Sequence, residues 1–330
     1  LHVASARRPT MEFRLIDRIR ERTTLAREDV RLGIGDDAAV LAVPTGQELA
    51  VAIDTLVEGV HFPLGTSPRD IGWKALAVNL SDLAAMGAAP AWALLALTLP
   101  QADPVRVDGL VDGFAQLARE HDVALVGGDT TRGPFCLSVA VHGFVPAGQA
   151  LIRGGARAGD AVFVTGTLGS AAGGLRLAQG VVPFDPGDEA HRDLRARLDR
   201  PTPRVRAGLA LRGHASACID VSDGLLADLG HICAASGVGA ELDPDTLPLS
   251  PALRGVFGNA AARELALAGG DDYELCFTVP GDAVGAMQAA LATVGVRATR
   301  IGMIVEGAGI CAAGGAPLAS TGGGWDHFRA

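Results

Sequence analysis

The sequence predicts a mixed α/β (α+β) fold built as two domains, and three observations carry that expectation. The first is length: 330 residues correspond to roughly two domains of about 150 residues each. The second is alternation. Short apolar runs with strand character trade places with stretches of helical period in both halves of the chain. The third is the segment PAGQALIRGGARAGD, rich in glycine and charge, which sets a domain boundary near 148–150. The expected division is residues 1–10 as a non-native or upstream extension, 11–148 as an N-terminal domain and 149–330 as a C-terminal α/β domain.

In chain order, residues 11–22 have the spacing of a short amphipathic helix, with Phe13, Ile16 and Ile19 on one side. GIGDDAAV (33–40) then places Asp36 and Asp37 in a turn with glycines at 33 and 35. Strands are expected over 37–43 and 49–54, the second leaving Asp54 just beyond its end. Residues 69–87 read as a helix whose apolar stripe (Ile71, Ala75, Val78) is continued by Asp82. An apolar strand over 91–100, a helix from Pro104 to about 121 and a short strand over 123–127 deliver the loop GGDTTRG (127–133). A long strand over 136–145 closes the half.

The second half opens with a strand over 161–166 and a small-residue helix to about 179. A polar, proline-bearing connection over 183–203 leads to a helix from Val205 and the strand SACID. Ser222 is placed to cap a helix running to about Ala235, with Asp228 on its surface. GGDDYELCFTV introduces another strand, followed by a helix near 281–294 and strands near 297–312.

Composition narrows the function. A net charge of −9 argues against a nucleic-acid-binding surface. No apolar run approaches the roughly 18 residues of a membrane span. The five cysteines form no CxxC pair and read as reduced thiols, so the expected location is cytoplasmic, away from membranes. Lys74 is the only lysine and sits in no GxxxxGK[ST] loop, which excludes a P-loop.

What remains for phosphate chemistry is magnesium held by carboxylates, with glycine turns letting backbone N–H groups approach oxygen atoms. Asp36 and Asp37 alike, Asp54, Asp82, Asp129, Asp220, Asp223, Asp271 and Asp272 stand at strand ends, in glycine turns or on an apolar stripe, where burial or exposure alone does not explain them. Arg132 and Arg153 are candidate phosphate clamps, because a guanidinium pairs with phosphate in a two-pronged manner. On spacing alone, His61 in EGVHF reads as packed or solvated rather than as a phosphate donor, and Trp325 in GGGWDHF stacks on a ring as readily as it plugs a domain.

GIGDDAAV, DTLVEGVHF, WKALAVNLSDLAAMGAAPAW, GGDTTRGP, IDVSDGLLADLGHI and GGDDYELCFT, in this order and spacing, resemble the thiamine-monophosphate kinase family. GGDTTRG and SDG alone point only to the wider superfamily of aminoimidazole ribonucleotide synthetase, selenophosphate synthetase and a hydrogenase maturation protein.

The resemblance implies an N-terminal domain whose sheet pairs with that of a second subunit in a barrel-like homodimer core. It also implies ATP as co-substrate and transfer of a phosphoryl group to thiamine monophosphate. By position it makes Asp37, Asp54, Asp82, Asp129, Asp220 and Asp223 ligands of several Mg2+ ions. Gly128, Asp129, Arg153 and Ser222 become ATP contacts, and His61, Asp271 and Trp325 substrate contacts. No residue is expected to act as nucleophile or base, since the acceptor is a phosphate oxygen. One departure stands out: hydroxyl residues precede the Asp54 position in the family, and this chain has Ala52 and Ile53. The alternatives are another ATP-dependent enzyme of the superfamily and a non-catalytic Mg-nucleotide sensor. Intact aspartates argue against the sensor, and the absence of an N-terminal cysteine argues against selenophosphate synthesis.

Overall fold

The computed structural model describes residues 11–315 and Leu318. In chain order the first elements are α1 (Met11–Thr23), β1 (Val30–Leu32), β2 (Val40–Leu41), β3 (Gln47–Val57), α2 (Pro68–Ala85), β4 (Ala89–Leu99), α3 (Pro104–Glu120), β5 (Ala124–Arg132) and β6 (Cys136–Pro146). There follow β7 (Ala161–Thr165), α4 (Ser170–Ala178), α5 (Glu189–Asp199), α6 (Val205–Leu211), β8 (Ala217–Asp220), α7 (Leu225–Ser236) and β9 (Gly239–Leu242). The described residues close with α8 (Pro251–Ala268), β10 (Leu275–Val279), α9 (Val284–Thr293), β11 (Ala298–Val305) and β12 (Gly309–Ala312). Helix and sheet mix in both halves, as the sequence predicts.

Two compact units result. One gathers the described residues up to Pro44 with Ile53–Leu76 and Ala91–Val141. The other gathers Thr45–Ala52, Ala77–Pro90 and the described residues from His142 onward.

A four-stranded sheet has the order β3-β6-β4-β5, with β4 and β5 parallel and a register shift between Ala93 and Leu94. Helix α3 shows why local sequence suffices there. The Asp103 carboxylate caps it, accepting from the N–H groups of Val105 and Arg106, and proline stands in its first turn, where a missing N–H costs nothing. Its buried residues Val107, Leu110, Phe114 and Leu117 recur at helical spacing. It crosses α2 closely enough that a Cβ on Gly72 would lie 1.8 Å from the Leu110 carbonyl oxygen, and one on Gly113 1.8 Å from that of Arg69. These two glycines set the distance between the helices.

The second sheet has the order β12-β9-β11-β7-β10-β8. Its pairs are antiparallel except β12 with β9, so this half is of the α+β kind. Its core includes Val162, Val164, Ile219, Leu225, Leu229, Ile232 and Ile304, all buried.

Several sequence expectations need correction. The strand expected over 37–43 is only Val40–Leu41, paired with β1. Asp54 lies inside β3 rather than beyond it. GGDTTRG is strand through Arg132, because it pairs along β4 from Leu94 to Leu99. The polar connection contains α5, capped by Asp188 and seated on buried Leu194 and Leu198. Ser222 caps nothing: α7 starts after Gly224, whose φ of 112° no other residue adopts readily. Asp228 is buried, not on the surface.

Candidate active site

Two loops of the second unit meet at the end of its sheet. Asp220 ends β8 opposite Leu275, the first residue of β10. Beyond them VSDG and GGDDY run side by side. The Asp271 N–H donates to the Ser222 carbonyl at 2.9 Å, and the Tyr273 N–H to that of Val221 at 2.8 Å. Asp220, Ser222, Asp223 and Asp271 are thus brought together. Asp220 is buried and accepts a hydrogen bond from the Ser81 hydroxyl at 2.7 Å. Ser81 precedes Asp82, which is half-buried on α2. The sheet end and the helix therefore put carboxylates in one neighbourhood.

Residues to which sequence reasoning gave another role, or none, hold this arrangement. The Asp228 carboxylate reaches back to accept from the N–H groups of Ser222 at 3.0 Å and Asp223 at 3.1 Å, which folds the VSDG loop. Burial, then the charges of Asp220 and Asp223, push the Asp228 carboxyl up to about 7 against the pull of those two N–H groups. Asp272 turns away from Asp271 and accepts from the N–H of Gly169 at 2.6 Å and of Ala171 at 3.4 Å. It caps α4, whose own N-cap Gly169 has no side chain to do so. Burial, against those bonds, pushes Asp272 up to about 8.

Glu274 is buried, accepts from the Thr165 hydroxyl at 2.6 Å and is gripped by both arms of Arg204. Burial works against the Arg204 charge, but the bond and charge of Glu274 outweigh it and hold the guanidinium above its ordinary value. One of these residues was findable. Asp228 continues the stripe Leu225, Leu229, Ile232 at helical spacing, the same signal that singled out Asp82. Asp272 and Glu274 had no such signal, because their partners lie 103 and 70 residues away.

Among the other expected ATP contacts of this unit, Arg153 is exposed. In the first unit, Asp37 is exposed and its N–H donates to the Asp36 carboxylate at 2.9 Å, which makes Asp36 the turn former. Asp54 is half-buried and shares a face of β3 with buried Leu56. His61 accepts the Val57 N–H on Nδ1 at 2.9 Å. A neutral His61 therefore carries its proton on Nε2, a donor suited to a phosphate oxygen.

Gly128 and Asp129 are exposed on β5. A Cβ on Gly128 would lie 1.9 Å from the Leu95 carbonyl oxygen, so this glycine already serves the contact with β4. Trp325 lies outside the described residues. Among the described residues no group of three or more His, Cys, Asp or Glu side chains is gathered as a metal site.

The family models for AIR synthase related proteins match this chain twice, the N-terminal domain over residues 35–145 and the C-terminal domain over 157–312. The thiamine-monophosphate kinase of Salmonella typhimurium is 48% identical over 320 residues, covering 96% of this chain and 98% of that protein. The crystal structure of the thiamine-monophosphate kinase from Stenotrophomonas maltophilia matches with a TM-score of 0.86 and 54% identity, covering 92% of this chain and 96% of that one. AaThiL complexed with AMPPCP and TMP matches with a TM-score of 0.77 and 31% identity, over 98% of this chain and 100% of that one. Near-complete coverage at such identity, with the acidic loops in their expected order, means that this chain belongs to the thiamine-monophosphate kinase family.

Proposed function

We propose that this chain transfers the γ-phosphoryl group of ATP to thiamine monophosphate, giving ADP and thiamine diphosphate. The observation that carries the reading is the match, over nearly all of both chains, to AaThiL complexed with AMPPCP and TMP. AMPPCP is an ATP analogue, and in this family TMP reads as thiamine monophosphate. The acceptor is a phosphate oxygen, deprotonated near neutral pH, so the chemistry asks for no nucleophile or base from the protein. It asks for two anions to be held in line.

Within this reading Asp37, Asp54, Asp82, Asp129, Asp220 and Asp223 hold magnesium, which when bound neutralises phosphate charge. The donor set fits. These are hard oxygen ligands, and the charges of Asp220 and Asp223 both make ionising Asp228 costlier, a load that a bound cation relieves. Magnesium takes one or two carboxylates together with substrate phosphates and water, so it needs no closed protein cage. Gly128, Asp129, Arg153 and Ser222 receive ATP. His61 and Asp271, with Trp325, receive the acceptor. Asp271 repels a phosphate and attracts a cation or an N–H donor, which assigns it the thiazolium and aminopyrimidine end.

The same reading includes a two-domain division near 148–150, supported by family matches that end at 145 and resume at 157. It includes a homodimer, supported by the apolar residues Leu49, Val51 and Ile53 exposed on β3. It also includes work in the cytoplasm, where ATP is at hand; among the described residues no helix is long and apolar enough to cross a membrane. One incubation with Mg·ATP tests the function, comparing thiamine monophosphate with free thiamine. Diphosphate is expected from the monophosphate alone; consumption of free thiamine instead would mean the acceptor is misassigned.

A further inference from the structure

The stretch Asp271–Glu274 divides by alternation. Asp272 and Glu274 are anchors, tied to α4 and to Arg204. Asp271 and Tyr273 are the residues presented, and both hold left-handed backbone, with φ of 68° and 49°. That conformation costs a non-glycine residue about 1–2 kcal/mol, and glycine would adopt it freely. Strain of this kind persists where the surroundings over-determine it and the side chains are needed. Here the N–H groups of both residues are fixed to the VSDG loop. The two side chains also join each other: the Tyr273 hydroxyl donates to Asp271 Oδ1 at 3.0 Å.

We propose that Tyr273 is a positioning residue, whose hydroxyl orients the Asp271 carboxylate toward the cationic, amine-bearing end of the substrate. This rests on the reading of Asp271 as a contact to thiamine monophosphate. A carboxylate that accepts one hydroxyl proton still has lone pairs for a further donor, and a charge-assisted bond removes the rotation that would otherwise blur its aim. Phenylalanine at 273 keeps the ring and the backbone and removes the hydroxyl that makes that bond. Tyr273 is also the only tyrosine in the chain, so a fluorinated tyrosine label reports on it alone.

In Y273F, KM for thiamine monophosphate is expected to rise about threefold to tenfold, with kcat within about twofold and KM for ATP unchanged. D271A separates the two layers. If D271A raises KM for thiamine monophosphate and Y273F does not, the positioning role is wrong while the reading of Asp271 stands. If D271A leaves that KM unchanged, the reading itself fails. The second measurement is spectroscopic. With 3-fluorotyrosine incorporated, the single 19F resonance is expected to move on adding thiamine monophosphate, and to stay in place in D271A at saturating ligand. No movement in the unsubstituted chain, or movement that persists in D271A, overturns the proposal.

Discussion

Asp272 shows how one residue can be read for pH dependence. Its carboxyl sits at about 8 in the folded chain and near the ordinary value of about 4 when unfolded. Between those values the folded chain binds more protons than the unfolded chain, so stability falls as pH rises from about 4 to about 8 and levels off above. Asp272→Asn keeps an oxygen for the Gly169 N–H and removes the titration. The variant's advantage is expected to be small near pH 5 and to grow towards pH 8, where it unfolds at a clearly higher temperature. Asp228, raised to about 7 in the parent, is present in both chains and drops out of the comparison. Thermal unfolding at pH 5, 6.5 and 8 checks this, and parallel curves for the two chains would sink it. The residue's role was illegible beforehand because Gly169, its principal partner, lies 103 positions away. Asp228 was within reach, since its place on an apolar stripe is local information.

At the scale of elements, sequence reading succeeded where the controlling residues are adjacent in the chain. Asp103 and Pro104 start α3 by themselves. It failed for α5, whose few apolar residues are outnumbered by charges and whose burial depends on other elements. It also failed for GGDTTRG, where turn-forming composition yields to pairing with β4. Gly128 belongs to that second case. The proposed function gives it to ATP, and the sheet gives it the approach of β4, since a Cβ there would stand 1.9 Å from the Leu95 carbonyl oxygen. Backbone cannot swing aside as a side chain does, so Gly128→Ala is expected to cost about 1–3 kcal/mol or more without any ligand present. A urea titration of the ligand-free variant reads this as a lower midpoint at unchanged slope. An unchanged midpoint would leave ATP as the sole reason for the glycine.

For the molecule as a whole, the ordered set of acidic motifs was legible because such motifs are written as local strings, and it sufficed to identify the family. Assembly is written differently, in which face of a strand is left uncovered. Val51 and Ile53 are 58% and 66% exposed and alternate with Asp54, whose side chain takes the opposite face of β3. β3 is also the edge of its sheet, where open hydrogen-bonding groups and apolar side chains invite a partner. A twofold interface repeats each contact across its axis, so a charge placed at both positions is met by its own copy as well as by lost apolar area. The double variant V51D/I53D is therefore expected to sediment as a monomer where the unchanged chain sediments as a dimer. It should retain its helical circular dichroism, since neither side chain belongs to the core. Sedimentation velocity over a range of concentrations decides the matter. A monomeric parent, or a variant that still sediments as a dimer, would remove β3 from the interface.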